Sequence, residues 1–217
     1  MNESPRIIEH LTDDIVTLQF SRPRERNTLS ALTLDLLEES LERIQGKSAI
    51  RALILTGTDD IFLSGANIRE LTKLDRQTAE AFSRRGQKLT TTLASLAPVT
   101  IAAINGYCMG GGLDFALACD IRIASATAVF AHPGARLGII TGWGGTQRLP
   151  RVVGRAKAIE LFATARRFSS DEALKAGLIT QIADPVLDAA RAVARKVIAT
   201  SSGTSQFPSD NPPSSGQ

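Results

Sequence analysis

Ile104-Asn105-Gly106-Tyr107-Cys108-Met109-Gly110-Gly111-Gly112-Leu113-Asp114 is the most informative stretch of the chain. An apolar run, Val99 to Ile104, leads into a turn that carries three consecutive glycines, and a helical run from Leu113 to Ala118 follows. Glycine lets a backbone pass close to a ligand with no Cβ in the way. A helix start offers unpaired N–H groups at the positive end of the dipole. Such a corner suits a phosphate or a developing oxyanion, although a tight turn without a ligand has the same composition. The spacing is not the G-x-G-x-x-G of a dinucleotide site.

Outward from this corner the chain alternates strands and helices. Toward the N-terminus, Ile7 to Leu11 and Ile15 to Phe20 read as strands around the turn Thr12-Asp13-Asp14. Ser30 caps a helix with the stripe Leu34, Leu37, Leu41 and Ile44, which Gly46 ends. Arg51 to Thr56 reads as a buried strand. A loop from Gly57 to Asn67 precedes a helix over Gln77 to Leu96, broken by Pro98. Beyond the corner, Ile121 to Ala124 and Ala128 to Ala131 are short strands, and Pro133-Gly134 reads as the centre of a type II turn. Helices follow at Gly145 to Val153, Arg155 to Thr164, a segment capped by Ser170, and Val186 to Ala199. The pattern is that of an α/β fold whose parallel strands need crossovers. It divides into a core over 1–144, a helical region over 145–200, and a Ser/Pro/Gly-rich tail over 201–217 that cannot bury a core and is expected to be disordered.

Composition narrows the function classes. A hydrophobic fraction of 43% supports a real core, while a net charge of +3 spread along the chain gives no nucleic-acid footprint. The basic stripe Lys73, Arg76, Arg84, Arg85 and Lys88 reads as a solvated helix face. Cys108 and Cys119 sit among small or apolar residues as reduced, buried thiols. The two histidines, His10 and His132, are far apart, so no metal site is expected. No run reaches the ~18 apolar residues of a membrane span, and the first residues lack a signal-peptide core. A soluble, cytoplasmic protein without membrane or nucleic-acid partners is the expectation. Ser64 lies in no G-x-S-x-G elbow, so a hydrolase nucleophile is not expected there.

Taken together, RPRERNTLS, FLSGANIRE, INGYCMGGGLDFALACDIRIAS, GIITGWGGTQRLPR and SSDEALKAGLI resemble the enoyl-CoA hydratase/isomerase (crotonase) family from Ile7 to Ala199. The resemblance implies a fold of right-handed ββα superhelical turns with a C-terminal helical region, here shortened, that serves trimerisation. It implies a homotrimer or dimer of trimers, an acyl-CoA substrate whose coenzyme A is part of the substrate, and no permanently bound cofactor. It also implies an enolate held by two backbone N–H groups, those of Ala66 and Gly111. Coenzyme A would run along Arg24, Glu25, Arg26, Ser64 and Arg69. Gly142 falls near the reacting water. Trp143 stands where the family usually has a smaller residue; it either narrows the acyl pocket or packs under the loop.

The acid/base pair departs from the family. Hydratases of the family hold water between two glutamates. The first position is Asp114, shorter by about 1.5 Å, and the second is Gly134, which has no acid; His132 and Arg136 flank that gap in sequence, and each reads as a core or surface residue. The helix start favours a charged Asp114 while burial opposes it, and the sequence leaves that balance open. Hydration or isomerisation is the expected chemistry. Decarboxylation or hydrolysis of a thioester, or a weakly catalytic CoA- or RNA-binding role, are the rival readings.

Overall fold

A computed structural model describes residues 6–203. Its frame is a six-stranded sheet in the order β1-β2-β3-β5-β7-β10 and a four-stranded sheet in the order β4-β6-β8-β9. The large sheet contains β1 (Ile7–Thr12), β2 (Ile15–Phe20), β3 (Ala52–Thr56), β5 (Val99–Ile104), β7 (Ile121–Ala124) and β10 (Gln181–Ile182). The small one contains β4 (Ile61–Leu63), β6 (Tyr107–Met109), β8 (Val129–Ala131) and β9 (Phe168–Ser169). Strand β1 pairs antiparallel with β2, and the remaining pairings of the large sheet are parallel. The chain thus passes three times through one strand of the large sheet, one of the small sheet and then a helix: β3-β4, β5-β6 and β7-β8. This is the ββα arrangement that the resemblance implied.

Period-two alternation sorts the core. Leu53 and Leu55 of β3, with Ala102 and Ile104 of β5, join one buried cluster with the helices α1 (Ala31–Gln45), α3 (Arg76–Ala94) and α4 (Gly111–Ala118). Ala52, Ile54, Ile101 and Ala103 face the opposite side. There they meet Val186, Ala190 and Ala194, a stripe at i, i+4 spacing on α8 (Val186–Gly203). Strands buried on both faces are why β3 reads as a continuous apolar run.

Helix starts follow local chemistry. Ser30 Oγ accepts the Thr33 N–H at 3.2 Å, as expected. Helix α3 starts at a capping box that the sequence reading passed over: Asp75 Oδ1 accepts the Thr78 N–H at 2.8 Å, and Thr78 Oγ1 accepts the Asp75 N–H at 2.9 Å.

Four expectations are corrected. The loops over 57–67 and 105–112 contain β4 and β6, too short to show a period. The helical third zone contributes β9 to the small sheet and β10 to the large one. Ser169, not Ser170, caps α7 (Ser170–Lys175), accepting the Glu172 N–H. The Ser170 hydroxyl is buried and donates to the Ser125 and Ala128 carbonyls instead. Pro133-Gly134 opens a 3-10 helix over Pro133–Leu137, not a type II turn, and Gly138 is the residue that takes the left-handed conformation, with φ of 70°. The expected tail begins within the last turn of α8 at 201–203; its remainder, 204–217, lies outside the described residues.

Candidate active site

The three strands β4, β6 and β8 lie parallel. Their carboxyl ends feed one cavity of about 360 Å³. From β4 come Ser64, Gly65 and Ala66; from β6, Gly110, Gly111 and Asp114; from β8, His132, Pro133 and Gly134. Ligand sites outside the carboxyl ends of parallel strands are a general outcome of such sheets. Ile68, Leu71, Phe82 and Ile140 give the cavity an apolar wall.

The glycine corner is shaped by contact. Gly110 has φ of 51° and offers no side-chain cap to α4, so the first-turn N–H groups of that helix are left for another acceptor. A Cβ on Gly112 would lie 2.3 Å from the Leu63 carbonyl oxygen, and one on Gly111 2.5 Å from the Trp143 ring. Gly65, just before Ala66, is also tightly placed: a Cβ there would lie 2.9 Å from the Met109 carbonyl oxygen and 3.2 Å from the Gly111 nitrogen. The Gly65 and Gly111 backbones therefore run close together on the cavity wall, which Ala66 also lines.

Trp143 is 3% exposed. Its indole enters a slot between Gly86 of α3, where a Cβ would lie 2.1 Å away, and Gly111. The ring contacts Phe82 and Phe115 at centroid distances of 5.2 and 5.9 Å. It packs under the loop and lines the cavity at once. Helix α3 also fixes the backbone here: Ser83 and Gln87 donate to the Gly142 carbonyl at 3.2 and 2.8 Å, and Thr90 donates to the Trp143 carbonyl at 2.9 Å. Gly142 itself lines the cavity.

Asp114 is fully buried. Burial pushes its pKa up to about 7, against the opposing pull of the Thr141 hydroxyl, the Trp143 N–H and the Arg148 guanidinium. The balance left open by the sequence falls to desolvation, not to the helix start. Thr141 donates to Oδ2, whereas Oδ1 has no hydrogen-bond partner. Only glycine fits beneath this carboxylate, since a Cβ on Gly145 would lie 2.1 Å from Oδ1.

Sequence reasoning missed Thr141 and read His132, beside Gly134, as a core or surface residue. Thr141 orients the acid, and His132 lines the cavity 3.7 Å from Asp114 Oδ1. Nothing in a lone histidine before Pro-Gly marks it; the signal is its burial, 3% exposed at the end of β8.

The coenzyme-side residues divide. Ser64 lines the main cavity, its hydroxyl buried without a partner. Glu25 and Arg69 line a second cleft with Arg22, Asn67, Glu70 and Lys73. Arg24 and Arg26 line neither. The buried Asn27 side chain donates to the Ile61 carbonyl at 2.8 Å and accepts the Arg22 N–H at 2.7 Å. With the loop tied there, Arg24 is exposed and the Arg26 guanidinium lies over the Tyr107 ring, 5.3 Å from its centroid. Glu25 pairs with Arg22.

Other clusters have ordinary roles. Of the basic stripe on α3, Arg84 pairs with Glu80, Arg85 with Asp35, and Lys88 with Glu38. Among the described residues, no three His, Cys, Asp or Glu side chains gather as a metal site, and no helix is long and apolar enough to cross a membrane.

Known proteins share this arrangement. The sequence model described as Enoyl-CoA hydratase/isomerase matches residues 11–210. A short-chain-enoyl-CoA hydratase from Clostridium acetobutylicum is 37% identical over 187 residues, covering 85% of this chain and 72% of the relative. A putative enoyl-CoA hydratase/isomerase from Bacillus subtilis is 44% identical over 179 residues, covering 82% and 67%. Among solved structures, an enoyl-CoA hydratase from Bacillus anthracis superposes with a TM-score of 0.85 at 33% identity, over 90% of this chain and 77% of that one. Pseudomonas aeruginosa DspI superposes with a TM-score of 0.86 at 33% identity, over 92% and 82%. With its motifs, its fold and the greater part of its length matched, this chain belongs to the enoyl-CoA hydratase/isomerase family.

Proposed function

We propose that the protein binds an acyl-CoA thioester and performs hydratase/isomerase chemistry on it, with no permanently bound cofactor. The thioester carbonyl would accept hydrogen bonds from the amides of Ala66 and Gly111, which stabilise the enolate oxygen as charge develops. Asp114 would move the proton at the adjacent carbon. Ser64 and Gly142 would border the thioester and the reacting water, Trp143 would close the acyl end, and Glu25 and Arg69 would lie on the coenzyme side, with Arg24 and Arg26 on the outer loop. The observation that carries this reading is Asp114, buried on the cavity wall beside the opening turn of α4 with its pKa pushed to about 7. A carboxyl poised near neutrality both gives and takes a proton. Relatives named as hydratases support hydration and isomerisation over thioester decarboxylation, hydrolysis or a non-catalytic role.

The test is turnover of a panel of short- and medium-chain enoyl-CoA and acyl-CoA substrates with product identification. Hydroxyacyl-CoA or shifted double bonds are expected; free coenzyme A or carbon dioxide as the main product would contradict the reading.

We also propose that the protein acts in fatty acid metabolism in the cytoplasm, as a homotrimer or dimer of trimers. Support for assembly comes from Leu137, Ile139 and Ile140, 51%, 49% and 64% exposed at the cavity mouth, an apolar rim that a neighbouring chain would cover. Light scattering checks it, and a stable monomer would contradict it.

A further inference from the structure

We infer that His132 is the acid–base partner of Asp114: in place of the carboxylate that position 134 lacks, its imidazole and the Asp114 carboxyl hold the reacting water between them. This inference rests on the reading of Asp114 and the two amides given above.

Three orphan polar atoms carry it. His132 is 3% exposed and neither ring nitrogen has a hydrogen-bond partner. Asp114 Oδ1 is likewise buried and unpartnered. Nε2 and Oδ1 face each other at 3.7 Å. That gap is too long for a direct hydrogen bond, but an oxygen at ~2.8 Å from each atom fits beside it. Buried polar groups are otherwise almost always satisfied, so three orphans on one wall of a ligand cavity point to a polar ligand between them. A purely structural histidine would direct a ring nitrogen at a neighbour. Here the ring packs against Phe162 at 5.0 Å, which fixes its plane and leaves both nitrogens unused.

The glycine two residues on does not reach the same place. A Cβ on Gly134 would lie 2.6 Å from the Ile139 carbonyl oxygen, so that position points toward the 139–140 backbone. An acid there would have to displace that segment first. The imidazole, two residues earlier, already faces Asp114.

The protonation states agree with such a pair. Burial holds His132 neutral, its pKa lowered to about 4, and raises Asp114 to about 7. The groups that face the pair are few. The Thr141 hydroxyl, the Trp143 N–H and Arg148 act on Asp114. The Cys108 thiol beside it is held neutral, pushed well above its ordinary value by burial. Phe162 from α6 (Arg155–Thr164) lies against His132. Between about pH 4 and about pH 7 the site therefore contains a protonated Asp114 and a neutral imidazole.

Hydration then balances. Nε2 takes one proton from water as the water oxygen bonds to the β-carbon, and the alkene electrons move to the thioester oxygen between the Ala66 and Gly111 amides. The Asp114 carboxyl gives its proton to the α-carbon. Transfer of the proton from the imidazolium to the Asp114 carboxylate restores the starting state. No other reactant is needed.

The experiment compares wild type, His132→Gln, His132→Ala and Asp114→Asn in crotonyl-CoA hydration, in exchange of the α-protons of butyryl-CoA in heavy water, and in butyryl-CoA binding. Exchange needs Asp114 and the amides but not His132. His132→Gln is expected to lose hydration by roughly 10²–10⁴-fold while keeping exchange and binding, which also show that it is folded. Added imidazole should restore hydration in His132→Ala, and the wild-type kcat/KM should fall with an acidic limb near 4 and a basic limb near 7 as apparent values of the pair. Full hydration by His132→Gln, or equal loss of exchange and hydration without imidazole rescue, overturns the role of His132 while the Asp114 reading stands. Hydration and exchange both undiminished in Asp114→Asn would overturn that reading itself, and the inference with it.

Discussion

The turn after β6 and the turn after β8 reach the same cavity by different means. The first is rigid: Gly111 and Gly112 press against Trp143 and the Leu63 backbone, and the acid sits on a helix buried from Gly112 to Ala118. The second is loose: Pro133–Leu137 forms a short 3-10 helix, and residues 135–140 are exposed. On the proposed reading, the rigid turn holds the first acid in shortened form, as Asp114. On the same reading the loose one carries Gly134 at the position of the second acid, with a histidine two residues earlier. Chemistry that depends on backbone amides and a packed helix has little room to vary, whereas a side chain delivered by a loop can be exchanged for another nearby.

The largest effect should come from the rigid side. Asp114→Asn keeps the shape and the contact with Thr141 but loses the proton, so kcat for enoyl-CoA turnover should fall by roughly 10²–10⁴-fold, with acyl-CoA affinity retained. Equal kcat would place the chemistry elsewhere.

The same substitution has a stability effect with a definite sign. Burial raises the Asp114 pKa from 3.8 to about 7 in the folded chain, so folding disfavours the carboxylate. The wild type should lose stability relative to Asp114→Asn as pH rises from about 4 to about 7, up to about 4 kcal/mol, with no further change above. His132 carries the opposite sign: lowered from 6.5 to about 4, it should cost stability as pH falls through that window. Urea denaturation across pH checks both, and a pH-independent difference for Asp114→Asn would contradict the buried-acid account.

Packing gives the next contrast. Gly111→Ala places a Cβ against the ring of Trp143, held between Gly86, Phe82 and Phe115. It should cost about 1–3 kcal/mol and disturb the adjoining amide, and Trp143→Leu should relieve part of the cost. Gly134→Ala puts a Cβ 2.6 Å from the Ile139 carbonyl oxygen; that exposed segment must shift, but no buried ring opposes it, so it should cost less than Gly111→Ala. Because position 134 points at the 139–140 backbone, which must move before a longer side chain fits, Gly134→Glu should not raise hydration simply by supplying an acid. Thermal melts of the pair settle the ranking, and equal losses would mean that the second turn is as rigid as the first.

Much of this was legible in the residues. The long strands β2, β5 and β7 and the helices α5 (Gly145–Val153) and α6 were readable at their ends, because apolar runs and glycine stops mark them. Strands β4, β6, β9 and β10 were not, since two or three residues carry no period and exist through pairing with distant strands. The site divides likewise. Ala66, Gly111 and Asp114 lie in motifs whose local sequence fixes their place. Burial of Asp114 was beyond reach because it depends on Thr141, Trp143 and Gly145, which a separate loop brings over it. His132 was hidden for the same reason: its meaning is a 3.7 Å approach across two turns.

Asp114 is proposed to work beside the Ala66 and Gly111 amides on a thioester enolate. Exchange of the α-protons of butyryl-CoA in heavy water, followed by proton NMR, tests it most directly. Wild type should exchange these protons, and Asp114→Asn should bind the thioester yet exchange at least about 100-fold more slowly. Undiminished exchange in Asp114→Asn, or none in a wild type that binds the thioester, would contradict it.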